Sequence, residues 1–305
     1  MVEQTEPDRL GDAQPWQWPE SVWRGYAEHV LPGRRLLPNE WPDGARAAVA
    51  VSFDSDHEST FLRDGKTSPG AMAQGHYGSR AGVPRILREF AARDIPLTFF
   101  IPAVSALLHP VDVAACVDHG HEIALHGWIH ERNMLLAPEV ERDLAFRAAD
   151  TLEELAGTRP VGIRTPSWDF SESTLRVTRE LGLLYDSSLM SDDEPFEIVE
   201  HHEATGIVEI PVSWIRDDAP YFMMDRYSAL RPYAMPRGVT QIWRDEFIGA
   251  YEAGSIFQLT LHPHISGHRS RLIPLLELID EIADKDVWFA THQEVAEYVS
   301  ARDRC

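Results

Sequence analysis

The chain has few cysteines, no long apolar run and a shortage of basic residues, and each of these excludes a class of protein. Its two cysteines, Cys116 and Cys305, form no CxxC pair, so we expect neither a disulfide framework nor a cysteine zinc site. No window approaches about 18 uninterrupted apolar residues, so no membrane-spanning helix is expected. The N-terminus lacks the apolar stretch of a signal peptide, which predicts a cytoplasmic protein.

The charge balance excludes two classes of partner. Lys and Arg number 28 against 49 Asp and Glu, which gives a net charge of −21. Binding to nucleic acid requires clustered basic residues that neutralise phosphates, and an anionic membrane surface requires them too. We therefore expect neither nucleic acid nor a membrane as a partner. The acidic surface is typical of a protein kept in solution by charge repulsion.

Several catalytic signatures are missing as well. The sequence contains no GxSxG nucleophile elbow, no Walker loop and no GxGxxG after a strand. The glycines between residues 65 and 78 are too widely spaced to cradle a phosphate. Serine hydrolases and common nucleotide-binding enzymes are therefore disfavoured.

What is present is enough for one large α/β domain, preceded by an unusual N-terminal segment. The 305 residues are 44% hydrophobic, which allows a sizeable core. Residues 1–44 are rich in Pro and Trp, with four tryptophans, and predict an arm that wraps the domain or a neighbouring subunit. We expect a single catalytic domain at residues 45–305. The arm and the long loops described below also predict a homo-oligomer.

After the arm, strand-like and helical patterns alternate. Strands are predicted near residues 47–53, 97–101, 122–125, 161–163, 183–185, 207–211, 256–261 and 286–289. Helices are predicted near residues 83–93, 110–118, 138–156, 172–182, 239–253, 270–283 and 291–302. Repeated βα units imply a parallel sheet, and seven or eight of them suggest a barrel. Two stretches, 54–80 and 212–238, predict long functional loops.

Polar residues follow three of the predicted strands. Asp54 and Asp56 end the first strand, and period-two alternation would place both carboxylates on one face. A cation would relieve their repulsion, one carboxylate acting as ligand and the other as base. His126 and His130 follow another strand with a spacing that suits one shared ion. Together the four residues predict a metal site at the carboxyl ends of the strands, where barrel active sites lie.

Two further clusters supply candidate partners. Arg164 follows the strand at residues 161–163, where it could pair with Asp54, and Trp168 could form an apolar wall. His262 and His264 follow the strand at residues 256–261. Either imidazole could act as a general acid, because its unperturbed pKa is about 6.5.

These motifs resemble the polysaccharide deacetylase family, also called NodB-homology or carbohydrate esterase 4, over residues 45–300. SFDSDHE resembles the family's first motif in its DxD form, HGWIH the second, RTPSW the third and LTLHPHISGHRSR the last. The DxD form is that of the branch that includes peptidoglycan deacetylase-like, allantoinase-like and cyclic imide hydrolase-like proteins. GHYGSRAGVPRIL and LYDSSLMSDDEPFE resemble stretches of the same branch. One departure is His268 in GHRSR, where Arg is usual.

The resemblance implies a fold, a cofactor and a role for each residue. The fold would be α/β, a distorted (β/α) barrel with seven or so parallel strands. Zn²⁺ or another divalent transition metal would be the cofactor. The implied roles are metal ligands Asp56, His126 and His130, base Asp54 with partner Arg164, acid His262 oriented by Asp186, Asp192 or Asp193, and substrate-binding residues Tyr77, Arg80, Trp168, His264 and Arg271.

The expected activity is hydrolysis of a non-peptide carbon–nitrogen bond by a metal-activated water. An N-acetylated sugar and a small cyclic amide or imide both remain open as substrates. A barrel that binds metal or carbohydrate without catalysis is the remaining alternative, and the complete set of candidate residues disfavours it.

Overall fold

The computed structural model describes residues 14–223 and 234–301. Its strands, β1 to β10 in chain order, are Val30–Arg35, Ala47–Asp54, Thr98–Ile101, Glu122–Leu125, Gly162–Ile163, Tyr185–Asp186, Phe196–Glu200, Glu203–Glu209, Ile256–Leu261 and Val287–Phe289. Its α-helices, α1 to α13, are Glu20–Ala27, Ser59–Leu62, Pro69–Tyr77, Val83–Ala91, Ala103–Leu108, Pro110–Asp118, Pro138–Ala156, Thr174–Glu180, Ala219–Phe222, Pro236–Ala253, Pro263–Ser266, Arg269–Ala283 and His292–Ala301.

One sheet of ten strands organises the molecule, in the order β1-β7-β8-β6-β5-β4-β3-β2-β10 with β9 also paired to β2. The strands β2, β3, β4, β5, β6, β8, β9 and β10 are joined by parallel pairings. At one edge β7 and β1 add antiparallel pairings, which the sequence patterns did not predict. The sheet curls into a half-barrel, and the predicted distorted (β/α) barrel is confirmed.

The half-barrel has a seam between β8 and β9. A single parallel bridge, between Asp217 and Thr260, links the segment after β8 to β9. The next residue continues the contact, since the Asp218 amide donates to the Thr260 carbonyl at 3.2 Å. This seam therefore brings the segment after β8 next to the carboxyl end of β9.

The seven predicted helices form close to their predicted positions, as α4, α6, α7, α8, α10, α12 and α13, whereas the six other described α-helices were not predicted. In α7, Pro138 occupies the first turn and Gly157 ends the helix at φ 76°, a left-handed conformation that glycine adopts without steric cost. Ala148 and Leu152 on its inner face are fully buried. The apolar stripe fixes the helix against the sheet, so the strand ends beside it are held in place.

Part of the N-terminal arm belongs to the folded domain. The α1 helix buries no residue, whereas β1 joins the sheet through β7. Trp41 is 2% exposed and its indole N–H donates to the Gly254 carbonyl at 2.9 Å. The arm is therefore anchored to the sheet edge and to the C-terminal end of α10.

The two predicted long loops differ from expectation. Residues 54–80 contain α2 and α3 and lead into a π-helical turn, Gly78–Gly82, so this stretch is largely helical. Residues 212–238 contain a 3₁₀ turn at Trp214–Arg216 and the short α9, while residues 224–233 lie outside the described part. Within the described ranges, no helix has the length and apolar character needed to cross a membrane.

Candidate active site

The candidate metal ligands meet at the carboxyl ends of β2 and β4. Asp56 comes two residues after β2, and His126 directly follows β4. One ligand atom from each of Asp56, His126 and His130 lies within 4.8 Å of the other two. His126 Nε2 is 3.4 Å from Asp56 Oδ1, and His130 Nε2 is 3.5 Å from Asp56 Oδ2. Two imidazoles and a carboxylate at these spacings form a donor set that suits Zn²⁺.

The surroundings of Asp56 fit a cation. Its Oδ1 atom is buried and has no hydrogen-bond partner among the described residues. Burial disfavours the charged form, but the imidazoles of His130, His126 and His262 outweigh this effect and hold the pKa of Asp56 well below its usual range. A buried, ionised carboxylate with an unpaired oxygen is a binding group for a positive ion.

Backbone contacts aim the two histidines. His126 Nδ1 donates to the Arg164 carbonyl at 2.7 Å, which leaves its Nε2 lone pair facing Asp56. Burial lowers the pKa of His130 to about 3, with His126 and Arg63 adding to the effect, so its imidazole is neutral and able to bind metal. For His126, burial opposes the charged ring, but Asp54 and Asp56 outweigh this effect and raise its pKa. The Nε2 atoms of both rings face the Asp56 carboxylate, at 3.4 Å for His126 and 3.5 Å for His130.

Two residues that the sequence did not single out hold the HGWIH turn. The Glu131 carboxylate accepts the backbone N–H groups of Trp128 at 2.9 Å and Ile129 at 2.7 Å. Arg63 contacts the His130 ring and donates to its carbonyl at 3.0 Å. Glu131 directly follows His130 in the sequence, but its hydrogen bonds to the backbone of Trp128 and Ile129 form only in the folded turn.

Asp54 is the other carboxylate of the DxD motif, and Arg164 holds it. Arg164 Nη1 lies 2.7 Å from Asp54 Oδ1 and 2.8 Å from Ser52 Oγ. The guanidinium is fully buried, with its carbon 4.0 Å from the centre of the Phe100 ring. Asp54 Oδ2 lies 3.8 Å from His126 Nε2, one of the candidate metal ligands. The predicted pairing of Arg164 with Asp54 is therefore present, and it leaves one carboxylate oxygen facing the cluster.

His262 faces the same cluster from the opposite side. It follows β9, and its Nε2 lies 3.7 Å from Asp56 Oδ2. Its Nδ1 lies 2.6 Å from Asp218 Oδ1, and its backbone N–H donates to Asp218 Oδ2 at 3.0 Å. Burial opposes the charged ring, but Asp218 and Asp217 outweigh it and hold the pKa of His262 well above its usual range. The ring is therefore an imidazolium equipped to give up a proton.

The aspartate that holds His262 differs from the three considered from the sequence. Asp186 lies beside the buried Glu209, Asp192 pairs with Arg35 at 2.7 Å, and the Asp193 side chain is 91% exposed. Asp218 takes this position instead, because the seam brings it to the end of β9. Only its place beside Asp217, in a stretch otherwise rich in aromatic residues, could have drawn attention to it.

The predicted substrate-binding residues fall into three groups. Tyr77, His264 and Arg271 line one cavity of about 510 Å³ beside His262. Trp168 is 8% exposed and packs on Trp214 with ring centres 3.9 Å apart, on the RTPSW turn next to Arg164. Arg80 is exposed on the π-helical turn, and no described contact joins it to the cluster.

His264 differs from His262 in its surroundings. Burial and, to a smaller extent, the neighbouring His262 lower the pKa of His264 to about 4. No carboxylate lies at hydrogen-bond distance from it among the described residues. A neutral imidazole is a poor proton donor at neutral pH, so the geometry favours His262 for the acid role.

The chain has clear relatives among known proteins. A family model described as polysaccharide deacetylase matches residues 73–185. A crystal structure of a Mycobacterium smegmatis protein assigned as a polysaccharide deacetylase is 36% identical with a TM-score of 0.81, covering 90% of this chain and 96% of that one. A peptidoglycan deacetylase of Helicobacter pylori is 28% identical over 277 residues, 82% of this chain and 94% of that protein.

An allantoinase resembles this chain about as closely as the peptidoglycan deacetylase does. Its crystal structure is 27% identical with a TM-score of 0.74, and the match covers 88% of this chain and 97% of that one. The family relationship thus extends to hydrolases with different names but the same fold. From the curled sheet, the cluster at its strand ends and these relatives together, the chain belongs to the polysaccharide deacetylase family, which supports hydrolysis of a carbon–nitrogen bond other than a peptide bond.

Proposed function

We propose that the protein is a metal-dependent deacetylase that removes the acetyl group from an N-acetylated sugar. The convergence of Asp56, His126 and His130, together with the buried Asp56 Oδ1 that has no hydrogen-bond partner among the described residues, supports the metal dependence most directly. These three residues would hold Zn²⁺ or another divalent transition metal. When bound, the ion would polarise the amide carbonyl and increase the acidity of water in the site.

Asp54 and His262 carry out the two proton transfers of the reaction, one as the base and the other as the acid. Asp54, held by Arg164, takes a proton from the attacking water as the new carbon–oxygen bond forms. His262 gives its Nε2 proton to the nitrogen as the carbon–nitrogen bond breaks, because an unprotonated amine anion is a poor leaving group. Asp218 keeps the other ring nitrogen of His262 protonated and oriented. Trp214, which is 47% exposed and packs on the buried Trp168, provides an aromatic surface on which a sugar ring can stack.

Hydrolysis of a cyclic amide is a second candidate. The similarity to the allantoinase, 27% identity, is close to the 28% identity to the peptidoglycan deacetylase. The same base and acid would open a ring amide, and the aromatic pair would accept a flat ring as well as a sugar. A panel of N-acetylated sugars, hydantoins and succinimides, assayed with added Zn²⁺, separates the two candidates.

Asp54→Asn tests the proposed division of roles. We expect this variant to keep stoichiometric metal, because Asp56 and both histidines remain, while kcat falls by about 10²–10⁴-fold through loss of the base. Metal content by elemental analysis and turnover of the best substrate in the panel are the two measurements. Asp118→Asn, an exposed change at the end of α6, is the control.

Two results would contradict the proposal. Unchanged turnover in Asp54→Asn would remove the base assignment. Full activity after dialysis against a chelator, with metal content shown to be negligible, would remove the metal dependence.

A further inference from the structure

The buried guanidinium of Arg164 has an acceptor for each of its hydrogens, and one of these acceptors is a histidine that the proposed chemistry does not use. A guanidinium carries five N–H groups. Arg164 Nε donates to the Ser187 carbonyl at 3.0 Å, and Nη1 donates to Ser52 and Asp54 as described above. Nη2 lies 3.0 Å from Ser187 Oγ and 3.3 Å from His292 Nε2. His292 therefore faces the fifth hydrogen.

The start of α13 determines the position of His292. Residues 291–294 read THQE, which is the pattern of a capping box. The Thr291 backbone N–H donates to the Glu294 carboxylate at 2.8 Å, and the Glu294 backbone N–H donates to the Thr291 hydroxyl at 3.1 Å. These bonds begin α13 at His292, so the backbone N–H of His292 is left to bond outside the helix.

Thr98, on β3, determines which ring nitrogen of His292 carries the proton. Thr98 Oγ1 accepts the His292 backbone N–H at 2.9 Å, and its own hydroxyl donates to Glu122 Oε2 at 2.8 Å. The Glu122 carboxylate also accepts the Tyr185 hydroxyl at 2.7 Å and the Gln293 backbone N–H at 2.9 Å. Because the hydroxyl hydrogen of Thr98 is already used, its contact of 3.1 Å with His292 Nδ1 requires the proton to be on Nδ1.

The other ring nitrogen, Nε2, is therefore an unprotonated acceptor that faces a cation. His292 is fully buried, and burial together with the charge of Arg164 holds the pKa of His292 well below its usual range. The ring is therefore neutral, as an acceptor must be. Phe100 contacts both partners, with the Arg164 guanidinium carbon 4.0 Å from its ring centre and the His292 ring perpendicular to it at 5.2 Å. The pair is thus packed against one aromatic ring.

We propose that His292 is a positioning residue of the reaction and acts through Arg164 on the base Asp54. The inference rests on the proposed amide hydrolysis and adds a residue that reaches the base only through the guanidinium. Because the guanidinium is planar, holding Nη2 at His292 directs Nη1 at Asp54 Oδ1 and leaves Oδ2 for the attacking water. Without this acceptor, one hydrogen of a buried cation would lose its partner, and the group would turn to regain one.

Two amide variants that differ only in reach test this role. In His292→Gln the side-chain carbonyl can occupy the place of Nε2, whereas in His292→Asn, which is one methylene shorter, the amide reaches only the place of Nδ1. We expect the asparagine variant of the holoenzyme to lose about 10–100-fold in kcat with KM changed by less than about threefold, and the glutamine variant to retain most of kcat. Equal kcat in the two variants would overturn the inference and leave the proposed function intact.

His121→Asn is the matched control for the loss of a buried imidazole. His121 is 8% exposed, accepts the Leu97 backbone N–H at 3.3 Å, and precedes β4 at the end of that strand opposite His126. The change can lower stability, which urea unfolding measures, but kcat per folded, metal-loaded molecule should match the wild type. A loss of kcat as large as that in His292→Asn would indicate general damage to the core and overturn the inference.

A double-mutant cycle locates the effect at Asp54. If His292 acts through Arg164 on the base, His292→Asn should cost little further kcat once Asp54→Asn has removed the base. We expect its effect to fall from about 10–100-fold in the wild-type background to less than about threefold in the Asp54→Asn background. The same effect in both backgrounds would overturn the inference, because it would not pass through the base.

Nitrogen NMR tests the contact without turnover and so separates this inference from the proposed function. In the ¹⁵N-histidine-labelled holoprotein, the signals that disappear in His292→Gln should show a protonated Nδ1 and an unprotonated Nε2. In the ¹⁵N-arginine-labelled holoprotein, the signals that disappear in Arg164→Lys should shift more in His292→Asn than in His121→Asn. Both results would support the contact even if no substrate in the panel were hydrolysed, and that absence would count against the proposed function alone. A proton on Nε2, or Arg164 signals that shift no more in His292→Asn than in the control, would overturn the inference.

Discussion

At the scale of single residues, the site depends on side chains that position other side chains. Asp218 is the clearest case, because both of its oxygens hold His262, one at the ring and one at the backbone. Glu131 has the same kind of role for the turn that carries His126 and His130. Neither residue reaches the place where the amide would be cleaved, yet each fixes one that does.

Asp218→Asn is expected to lower kcat more than KM. The new side-chain amide can still contact the His262 ring, but the imidazolium loses the negative charge that stabilises it. Fewer enzyme molecules then carry the His262 proton that the leaving nitrogen needs. Steady-state kinetics and metal content on the same preparation are the measurements. The result expected is a loss of about 10²-fold or more in kcat with unchanged metal. A variant that loses metal in proportion to its activity would contradict this role.

Glu131→Ala is expected to weaken metal binding without unfolding the protein. Its carboxylate accepts two successive backbone N–H groups in the turn between the two histidines. Groups that orient metal ligands typically contribute about 10–100-fold to metal affinity. Competition with a chromophoric chelator measures that affinity, and Glu139→Gln, exposed at the start of α7, is the control. Equal metal affinities in the two variants would speak against the role of Glu131.

The sequence predicted the chemical groups of the site better than their supports. Asp54, Asp56, His126, Arg164 and His262 were visible because each stands where an apolar strand ends, a position that the hydrophobic pattern marks. Asp218 was missed because it lies 44 residues before His262 and meets it only across the seam. Contacts of this kind depend on how the sheet curls, and local patterns do not report that.

At the scale of elements, close packing of backbone on backbone holds the turn after β9. The π-helical turn Gly78–Gly82 packs against α11, which begins directly after His262. A Cβ atom added at Gly82 would lie 2.3 Å from the Pro263 carbonyl oxygen, much nearer than any real contact. The glycine is therefore required for space rather than for an unusual backbone angle.

Gly82→Ala is expected to destabilise the protein by about 1–3 kcal/mol, the usual cost of overpacking a buried site. Gly249→Ala is its matched control, because Gly249 lies within α10 with nothing within 4 Å of an added Cβ. Removing a helical glycine there should stabilise the protein by about 0.5–1 kcal/mol. Urea unfolding of both variants gives the comparison, and shifts of the same sign would disprove the packing argument.

The elements themselves were largely predictable, with instructive exceptions. The predicted strand at residues 256–261 and helices at residues 110–118 and 138–156 coincide with β9, α6 and α7. By contrast, β1 was hidden in the Pro-rich arm, and β7 has only five residues, with Ile198 and Val199 interrupting the alternation of apolar and charged residues. Short edge strands obtain their order from the neighbour they pair with, which single-sequence patterns do not contain.

At the scale of the whole molecule, a buried acid pair should affect stability across a range of pH. Asp186 and Glu209 are both fully buried, and each retains one oxygen, Oδ2 and Oε2, without a hydrogen-bond partner among the described residues. Burial raises the pKa of Asp186 to about 6, and burial together with Asp186 raises that of Glu209 well above its usual range. The folded protein therefore keeps a proton on this pair that the unfolded chain loses near pH 4.

The contribution of this pair to stability should consequently fall as the pH rises above about 4, because the pair binds more protons in the folded state than in the unfolded state there. One retained proton contributes a slope of up to about 1.4 kcal/mol per pH unit. We expect Glu209→Gln to flatten this slope, and Glu203→Gln, exposed at the other end of β8, to preserve it. Urea unfolding between pH 4 and about pH 7 gives the slopes. An identical slope in Glu209→Gln and the wild type would contradict the shared proton.

The segment that crosses the seam between β8 and β9 carries residues around His262 and the cavity, and the candidate metal ligands lie outside it. The candidate metal ligands come from the ends of β2, which pairs with β9 beside this seam, and of β4, which is three strands from β8. Asp218, which orients His262, comes from the segment that crosses this seam. Phe222 and Met223, which line the cavity, come from the same segment. Substitutions in that one segment can therefore change the cavity and the surroundings of His262 while Asp56, His126 and His130 keep their positions.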